Sequence, residues 1–183
     1  MKWLSRYSSQ DLLYIAILSA LGLAIKPIIT PLIHLISAPL MIPGGSLAGG
    51  FYMMWIALAI AIVRKPGAGL LVGITQAIVI VSLGYFGNHG AVSLLSYTLP
   101  AVSAEFIAIL YKNRGSLFAQ VSICTSANIT GALIVTILIM RLALIPLLIS
   151  LVAASISGII GGILSFSILK KLIIYRIIEQ EEK

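Results

Sequence analysis

The chain has 183 residues, of which 60% are hydrophobic and 9% charged, and its formal net charge is +7. Soluble domains carry about 25% charged residues, so this composition excludes an ordinary soluble protein and is typical of a membrane protein. The basic residues lie in short clusters between apolar runs, a pattern that sets membrane orientation and differs from the basic stripe of nucleic-acid-binding proteins. We expect one integral-membrane domain over residues 1–183, with the lipid bilayer as its surroundings and no nucleic-acid partner.

The first predicted span begins near residue 8 or 9 and carries small side chains at a spacing of four residues. These are Ala16, Ala20 and Ala24. Residues four apart share one face of a helix, so the alanines form a surface that another helix can approach closely. Such a face either packs inside the protein or docks on a partner protein, and the spacing leaves both interpretations open.

A break follows at Lys26 and Pro27, because proline removes a backbone donor and clashes with the preceding turn. The apolar segment from there to residue 37 also contains Pro31 and His34. We expect a kinked continuation of the helix or a re-entrant piece.

Five further spans are expected between polar breaks or breaks rich in proline and glycine. They cover approximately residues 46–63, 67–83, 91–111 and 116–140, and the last runs from 146 past 169. The predicted fold class is an all-α membrane protein with six transmembrane helices. Three outward-facing loops are predicted: the glycine-rich segment 44–50, segment 84–90 and segment 141–145.

Basic clusters at four places fall on one side of this six-span arrangement. They are Lys2 with Arg6, Arg64 with Lys65, Lys112 with Arg114, and Lys170 and Lys171 with Arg176. Cytoplasmic loops carry an excess of lysine and arginine. The sequence therefore predicts a multi-pass cell-membrane protein with both termini in the cytoplasm.

The last span has small residues on two neighbouring stripes. One contains Ser150, Ala154, Gly158 and Gly162, and the other contains Ala153, Ser157 and Gly161. Stripes of this kind most often indicate tight helix packing. They are also compatible with homo-oligomerisation.

Two polar side chains inside predicted spans are candidates for chemistry. Glu105 is the only acid within a span. A charge at the bilayer centre costs about 2.5–3.5 kcal/mol on insertion scales, so an intramembrane acid is a functional candidate by default. Asn128 is suited either to binding a ligand or to bonding across to another helix. A direct pair between Glu105 and Lys26 is not expected, because the two residues lie at different depths.

Aromatic and amide side chains collect near the outward ends of the spans. They are Tyr52, Trp55, Tyr85, Asn88, His89 and Tyr97. Rings can stack on a flat ligand while amide and imidazole groups orient it. A single ring is more simply explained by the aromatic belt at the membrane interface. As a set, and with Glu105 and Asn128, these residues predict an outward-facing substrate site.

No catalytic constellation is recognisable in the sequence. Ser46 lies among glycines, but His34 and His89 lie at or beyond span ends, where neither can serve as its base. Paired histidine or acidic metal ligands at helical spacing and a phosphate-binding glycine loop are also missing. We expect no enzyme activity, no metal site and no cofactor.

The six-span layout with the Ala16, Ala20 and Ala24 face resembles the S component, the substrate-binding membrane subunit, of an energy-coupling factor (ECF) vitamin transporter. Two segments, Gly-Phe-Tyr-Met-Met-Trp-Ile from residue 50 and Arg-Lys-Pro-Gly-Ala from residue 64, are similar to the YkoE-type group, which is linked to uptake of thiamin precursors. Ser-Ala-Glu-Phe from residue 103 extends this similarity.

The resemblance implies a function and a set of partners. The S component captures a vitamin or vitamin precursor from outside, here one like thiamin or hydroxymethylpyrimidine or another small heteroaromatic. Its alanine face docks on the transmembrane ECF coupling subunit, and the S component delivers the ligand inward by toppling. Two ECF ATPases power the cycle. The alternative is a self-sufficient small channel or an oligomeric membrane scaffold.

Overall fold

The computed structural model describes residues 6–39, 42–83 and 92–178. In these ranges the regular structure is entirely helical. It comprises α1 Ser9–Ala24, α2 Lys26–Ser37, α3 Gly44–Val63, α4 Ala68–Ser82, α5 Ser93–Ile109, α6 Leu117–Ile134, a π-helical turn Val135–Ile139, and α7 Leu144–Ile174. The predicted all-α class is confirmed for the described residues, and each predicted span corresponds to one helix or one consecutive pair.

The first two helices form an almost continuous rod. A capping box starts α1: the Ser8 hydroxyl accepts from the Asp11 N–H, and the Asp11 carboxylate accepts from the Ser8 N–H. Only Ile25, whose own φ of −73° and ψ of −23° are helical, separates α1 from α2. Pro27 lies in the first turn of α2. N–H groups in a first turn have no acceptor within the helix, so the missing N–H of proline costs no hydrogen bond there. The chain therefore continues as a helix beyond Lys26.

The central helix is α3, which packs against all six other α-helices. Its side chains from Ile56 to Ala61 are almost completely buried. The sequence of α3 is apolar on every side, as expected for a helix surrounded by others. The prediction of an outer loop at 44–50 is wrong, because α3 already begins at Gly44 and Gly49 and Gly50 are buried within it. Close helix contacts at these glycines explain why the segment is helical despite the low helix propensity of glycine.

A sharp turn at the basic cluster of Arg64 and Lys65 joins α3 to α4. Arg64 and Gly67 both have left-handed backbones, with φ of 56° and 92°. Glycine carries no Cβ, so it takes this conformation without steric cost and lets the chain reverse between two packed helices.

The described basic clusters meet at one end of the bundle. Lys65 Nζ lies 2.5 Å from the Asp11 carboxylate, which joins the α3–α4 turn to the start of α1. Arg114 donates to the Arg64 carbonyl at 3.5 Å, and Leu169 of α7 packs over the α5–α6 turn. The start of α1, both turns and the end of α7 therefore share this end, which we call the basic end.

The small residues of α7 pack inside the chain. Ser150, Ala154, Ser157 and the glycines at 158, 161 and 162 are all buried. A Cβ on Gly158 would lie 2.5 Å from the Thr125 Cα of α6, and one on Gly161 would overlap the Gly50 carbonyl of α3. The prediction of tight helix packing is confirmed. These contacts bury the stripe of Ser150, Ala154, Gly158 and Gly162, whereas Ala153 of the neighbouring stripe is half-buried and lines a groove.

Four apolar helices of the described chain are long enough to cross a membrane. They are Ser9–Ser37, Gly44–Val63, Leu117–Ile139 and Leu144–Ile174. The helices α4 and α5 are apolar but shorter, with 15 and 17 residues. A span normally needs about 20 residues. Large aliphatic side chains such as Leu35 and Ile145 are exposed on the outer surface, as suits a protein embedded in lipid.

Candidate functional site

A lysine and two tyrosines from three helices meet far from the basic end. Lys26 Nζ of α2 lies 3.8 Å from the ring centroid of Tyr97 on α5 and 5.0 Å from that of Tyr52 on α3. Both distances are within the range of cation–π attraction. The Tyr52 hydroxyl lies 3.0 Å from the Thr30 hydroxyl, which ties α3 to α2. All four side chains are half-buried. From Asp11 to Lys26 the helix rises roughly 22 Å, so the group lies well away from the basic end.

One helical turn from this group, Trp55 and Gln76 adjoin Gly22. A Cβ on Gly22 would lie 3.3 Å from the Trp55 ring and would overlap the Gln76 amide. Gln76 Nε2 donates to the Ser19 carbonyl at 3.4 Å. The Trp55 indole N–H is buried and has no hydrogen-bond partner in the described part of the chain. Buried donors are normally paired, so this N–H is available to an acceptor on a ligand.

We call Lys26, Tyr52, Trp55, Gln76 and Tyr97 the Lys26 cluster. Gly22 and Lys26 are four residues apart and share a face of the α1–α2 rod, and Tyr52 and Trp55 are three apart and share a face of α3. The Trp55–Gln76 pair therefore lies one layer from the Lys26–tyrosine group, between α1–α2, α3, α4 and α5. The cluster combines a cation, three aromatic rings and an amide. Apolar ring faces with a few placed polar groups are characteristic of small-molecule sites.

The cluster contains three predicted site residues, Tyr52, Trp55 and Tyr97, and two residues that were not predicted. From the sequence, Lys26 is considered as a helix break and as a partner of Glu105, but not as a site residue. Gln76, a polar side chain within the third span, is the second addition. The signal for Lys26 is that it is the only Asp, Glu, Lys or Arg between Asp11 and Arg64.

Asn128 makes no hydrogen bond to a residue of the Lys26 cluster. It is 1% exposed, and its amide donates to the Ala154 carbonyl of α7 at 2.8 Å and to the Ser46 carbonyl of α3 at 3.5 Å. A Cβ on Gly49 would overlap its side chain, so the glycine provides the space for Asn128. The amide thus bonds across from α6 to two other helices.

Glu105 lies at the basic end and binds backbone N–H groups. Its carboxylate accepts from Gly67 at 3.0 Å and from Gly69 at 2.6 Å, the first N–H groups of α4. A helix N-terminus has free N–H groups and a positive dipole end, so an anion stabilises it. Glu105 therefore caps α4 from α5. The expectation that it does not pair directly with Lys26 agrees with this position.

Replacing Glu105 tests this capping role. We expect Glu105→Ala to lower the free energy of unfolding by about 1–3 kcal/mol, because two N–H groups lose a charged acceptor. Glu105→Gln keeps one carbonyl acceptor and should lose roughly half as much. The readout is the unfolding temperature of the purified protein, with ligand affinity measured in parallel. A loss of affinity at unchanged stability would instead place Glu105 at the ligand.

Three predicted site residues, Tyr85, Asn88 and His89, lie outside the described residues. Their part in the substrate site stays a prediction.

The alanine face of α1 is exposed along its whole length. Ala16, Ala20 and Ala24 all lie on the outer surface, whereas Ile15, Leu18, Ser19 and Gly22 form the buried face of the same helix. Internal packing therefore does not account for the spacing of the alanines. The exposed face carries small side chains and is free for another helix to approach.

An apolar groove of about 530 Å³ lies elsewhere, between the start of α3 and α7. It is lined by aliphatic side chains such as Leu47, Val152 and Ile156. No residue of the Lys26 cluster lines it. Its outward, apolar position is suited to contact with lipid chains.

The fold and these surfaces define a multi-pass helical membrane protein. Residues 10–129 match the family described as ABC-type cobalt transport system, permease component. The match covers more than half of the chain, and the chain belongs to this family. It is accordingly a membrane component of an ECF-type transporter. No curated protein and no solved structure matches it significantly.

Proposed function

We propose that this chain is the S component of an ECF importer and captures a vitamin or vitamin precursor outside the cell. In this proposal it spans the membrane six times and has both termini in the cytoplasm. Its partners are the transmembrane coupling subunit and two ECF ATPases. The YkoE-type resemblance favours a ligand like thiamin or hydroxymethylpyrimidine, or another small heteroaromatic. The chain itself catalyses no reaction.

The exposed alanine face carries this proposal. Helices in lipid associate through close van der Waals contact, and small side chains allow that contact. Three alanines on one stripe of α1 are exposed in the isolated chain, whereas the stripe of Ser150, Ala154, Gly158 and Gly162 on α7 is buried. A partner helix that packs on Ala16, Ala20 and Ala24 would give this surface a role.

The Lys26 cluster supports an organic ligand. The family description names cobalt as a cargo. Among residues 6–39, 42–83 and 92–178, no three His, Cys, Asp or Glu side chains come together to hold a metal ion. A lysine, three aromatic rings and a primary amide offer poor ligands for a divalent transition metal and good contacts for a flat ring compound.

The two shorter helices are compatible with six spans. By their residue counts, α4 and α5 are roughly 22–26 Å long, less than the hydrocarbon thickness of about 30 Å. A bilayer thins locally around a short span at modest cost. The basic end faces the cytoplasm under the positive-inside rule, which directs the Lys26 cluster outward.

The geometry suggests how capture and delivery are linked. The alanine face occupies α1, and the Lys26 cluster begins directly after α1. A rotation of the bundle against a coupling subunit held at the alanine face would carry the cluster across the bilayer. Because Gly22 and Lys26 belong to the same helical rod as the docking face, the site and the face would move together.

The deciding experiment is mass spectrometry of ligands released from the purified chain, combined with uptake assays. We expect a small heteroaromatic molecule to co-purify, and uptake of that molecule to require the coupling subunit and the ATPases. A chain that conducts ions or solutes alone, as a stable oligomer and with no released ligand, would contradict the proposal and favour a channel.

A further inference from the structure

We propose that the Lys26 cluster selects an anionic ligand, an aromatic ring that carries a carboxylate or a phosphate ester, with the Lys26 ammonium pairing with the anion. This inference rests on the proposed function and names the ligand class of the same site. It follows from the charges around Lys26.

Lys26 has no acidic partner among the described residues. Their one ion pair joins Lys65 to Asp11, and the second described acid, Glu105, is bound by the N–H groups of α4. Both acids lie at the basic end, roughly 22 Å of helix rise from Lys26. The protein therefore leaves the ammonium unneutralised at the candidate site.

The contacts of Lys26 are with groups that tolerate a cation but do not cancel its charge. The ring faces of Tyr52 and Tyr97 attract the ammonium through their quadrupoles. A lysine has three N–H donors, and a ring face serves only as a weak acceptor. A cationic side chain inside a membrane generally either lines the path of a ligand or is paired with an anionic group. A carboxylate or phosphate oxygen on the ligand would supply that counter-ion.

The neighbouring donors point to the same class of ligand. The buried Trp55 N–H is unpaired within the described residues, one turn along α3 from Tyr52. With the Lys26 ammonium, the cluster presents free donors on at least two sides, so it suits a ligand rich in acceptors. In a ring compound with nitrogen acceptors and an anionic substituent, a ring nitrogen accepts from the Trp55 N–H and the anion pairs with Lys26. A cationic ligand, including thiamin with its thiazolium ring, would instead be repelled by Lys26, so the inference favours the other heteroaromatic ligands of the proposed function.

The test uses two pairs of probes, each with an anionic and a neutral compound built on the same ring. Nicotinate is compared with nicotinamide, and hydroxymethylpyrimidine phosphate with hydroxymethylpyrimidine, for binding to the full chain in lipid nanodiscs. Ligand released from the purified chain is identified in the same preparations. The variants are Lys26→Met, which removes the charge at similar length, and Lys26→Arg, which keeps it. Lys112→Met is the matched control, because Lys112 is exposed at the basic end.

We expect an anionic probe, or an anionic released ligand, to bind the wild type and Lys26→Arg. Lys26→Met should weaken that binding by about tenfold or more, the loss expected when a charge-assisted hydrogen bond is removed. Binding of the neutral probes should change by less than about twofold, as should binding of every probe to Lys112→Met. An unchanged unfolding temperature of Lys26→Met shows that the fold is intact.

Two results would overturn the inference. One is a released ligand that is neutral or cationic, and the other is an anionic ligand that Lys26→Met binds as tightly as the wild type does. In either case the chain still captures a ligand, so the proposed function stands and only the ligand class is wrong. A wild type that releases no ligand, binds no probe and supports no uptake contradicts both proposals.

Discussion

Tryptophan at both Ala16 and Ala20 is expected to abolish substrate uptake while leaving ligand binding by the purified chain intact. The two alanines are exposed and make no part of the internal packing, which α1 performs with Ile15, Leu18 and Ser19. A bulky ring on this face leaves the bundle undisturbed but holds a partner helix several ångströms away. Helix contact in lipid depends on close approach, so docking should be lost.

The measurement is co-purification of the variant with the coupling subunit and the ATPases, together with uptake in cells. Ligand release from the isolated variant reports on its binding site. Ser167→Trp is the matched control, because Ser167 is another exposed small residue, on α7. Normal assembly and uptake by the double variant would show that the coupling subunit binds elsewhere. Loss of ligand from the isolated variant would show that the substitutions disturb the bundle.

Alanine at Gly50 is expected to destabilise the bundle severely, although it adds a single methyl group. A Cβ there would overlap the Ser157 carbonyl of α7, and Gly161 packs over the Gly50 carbonyl from the same side. The obstacle is backbone, so two helices have to move apart. Overpacking usually costs about 1–3 kcal/mol, and we expect about 3 kcal/mol or more here because no flexible side chain can yield.

Gly45 offers a matched control within the same helix. No atom lies within 4 Å of a Cβ built on Gly45. Gly45→Ala should leave the unfolding temperature unchanged or raise it slightly, since alanine favours a helix over glycine. The readouts are the unfolding temperature and the elution of each variant as a single species in size-exclusion chromatography. Equal stability of the two variants would mean that α3 and α7 are not in backbone contact at Gly50.

The helices themselves could be predicted from the sequence with little error. The local signals are apolar runs of span length and the basic cluster of Arg64 and Lys65 between two of them. The corresponding helices lie close to where these signals place them. The glycine-rich segment 44–50 was the exception. Its local signal is that of a loop, but packing against α6 and α7 makes it helical, and packing is not a local property.

The candidate site was predicted only in part. Tyr52, Trp55 and Tyr97 were chosen because aromatic residues at span ends suit a ligand, and the fold brings them together. Lys26 could not be assigned to the site from the sequence, because its neighbours there, Tyr52 and Tyr97, belong to helices that are distant in the chain. Asn128 and Glu105 were chosen as rare polar residues in spans. The described contacts of each are to backbone groups, which sequence spacing cannot reveal.

The sequence by itself determined that this is a membrane chain, approximately where most of its helices lie, and which residues share a face. These properties follow from hydrophobicity, proline chemistry and helical periodicity, which act over a few residues. The tertiary structure alone decided what each face touches. Two stripes of small residues with the same spacing have opposite fates: the stripe of α7 is buried against α3 and α6, and the stripe of α1 is exposed. Periodicity places residues on a face, but only the packing of the other helices determines whether that face is covered.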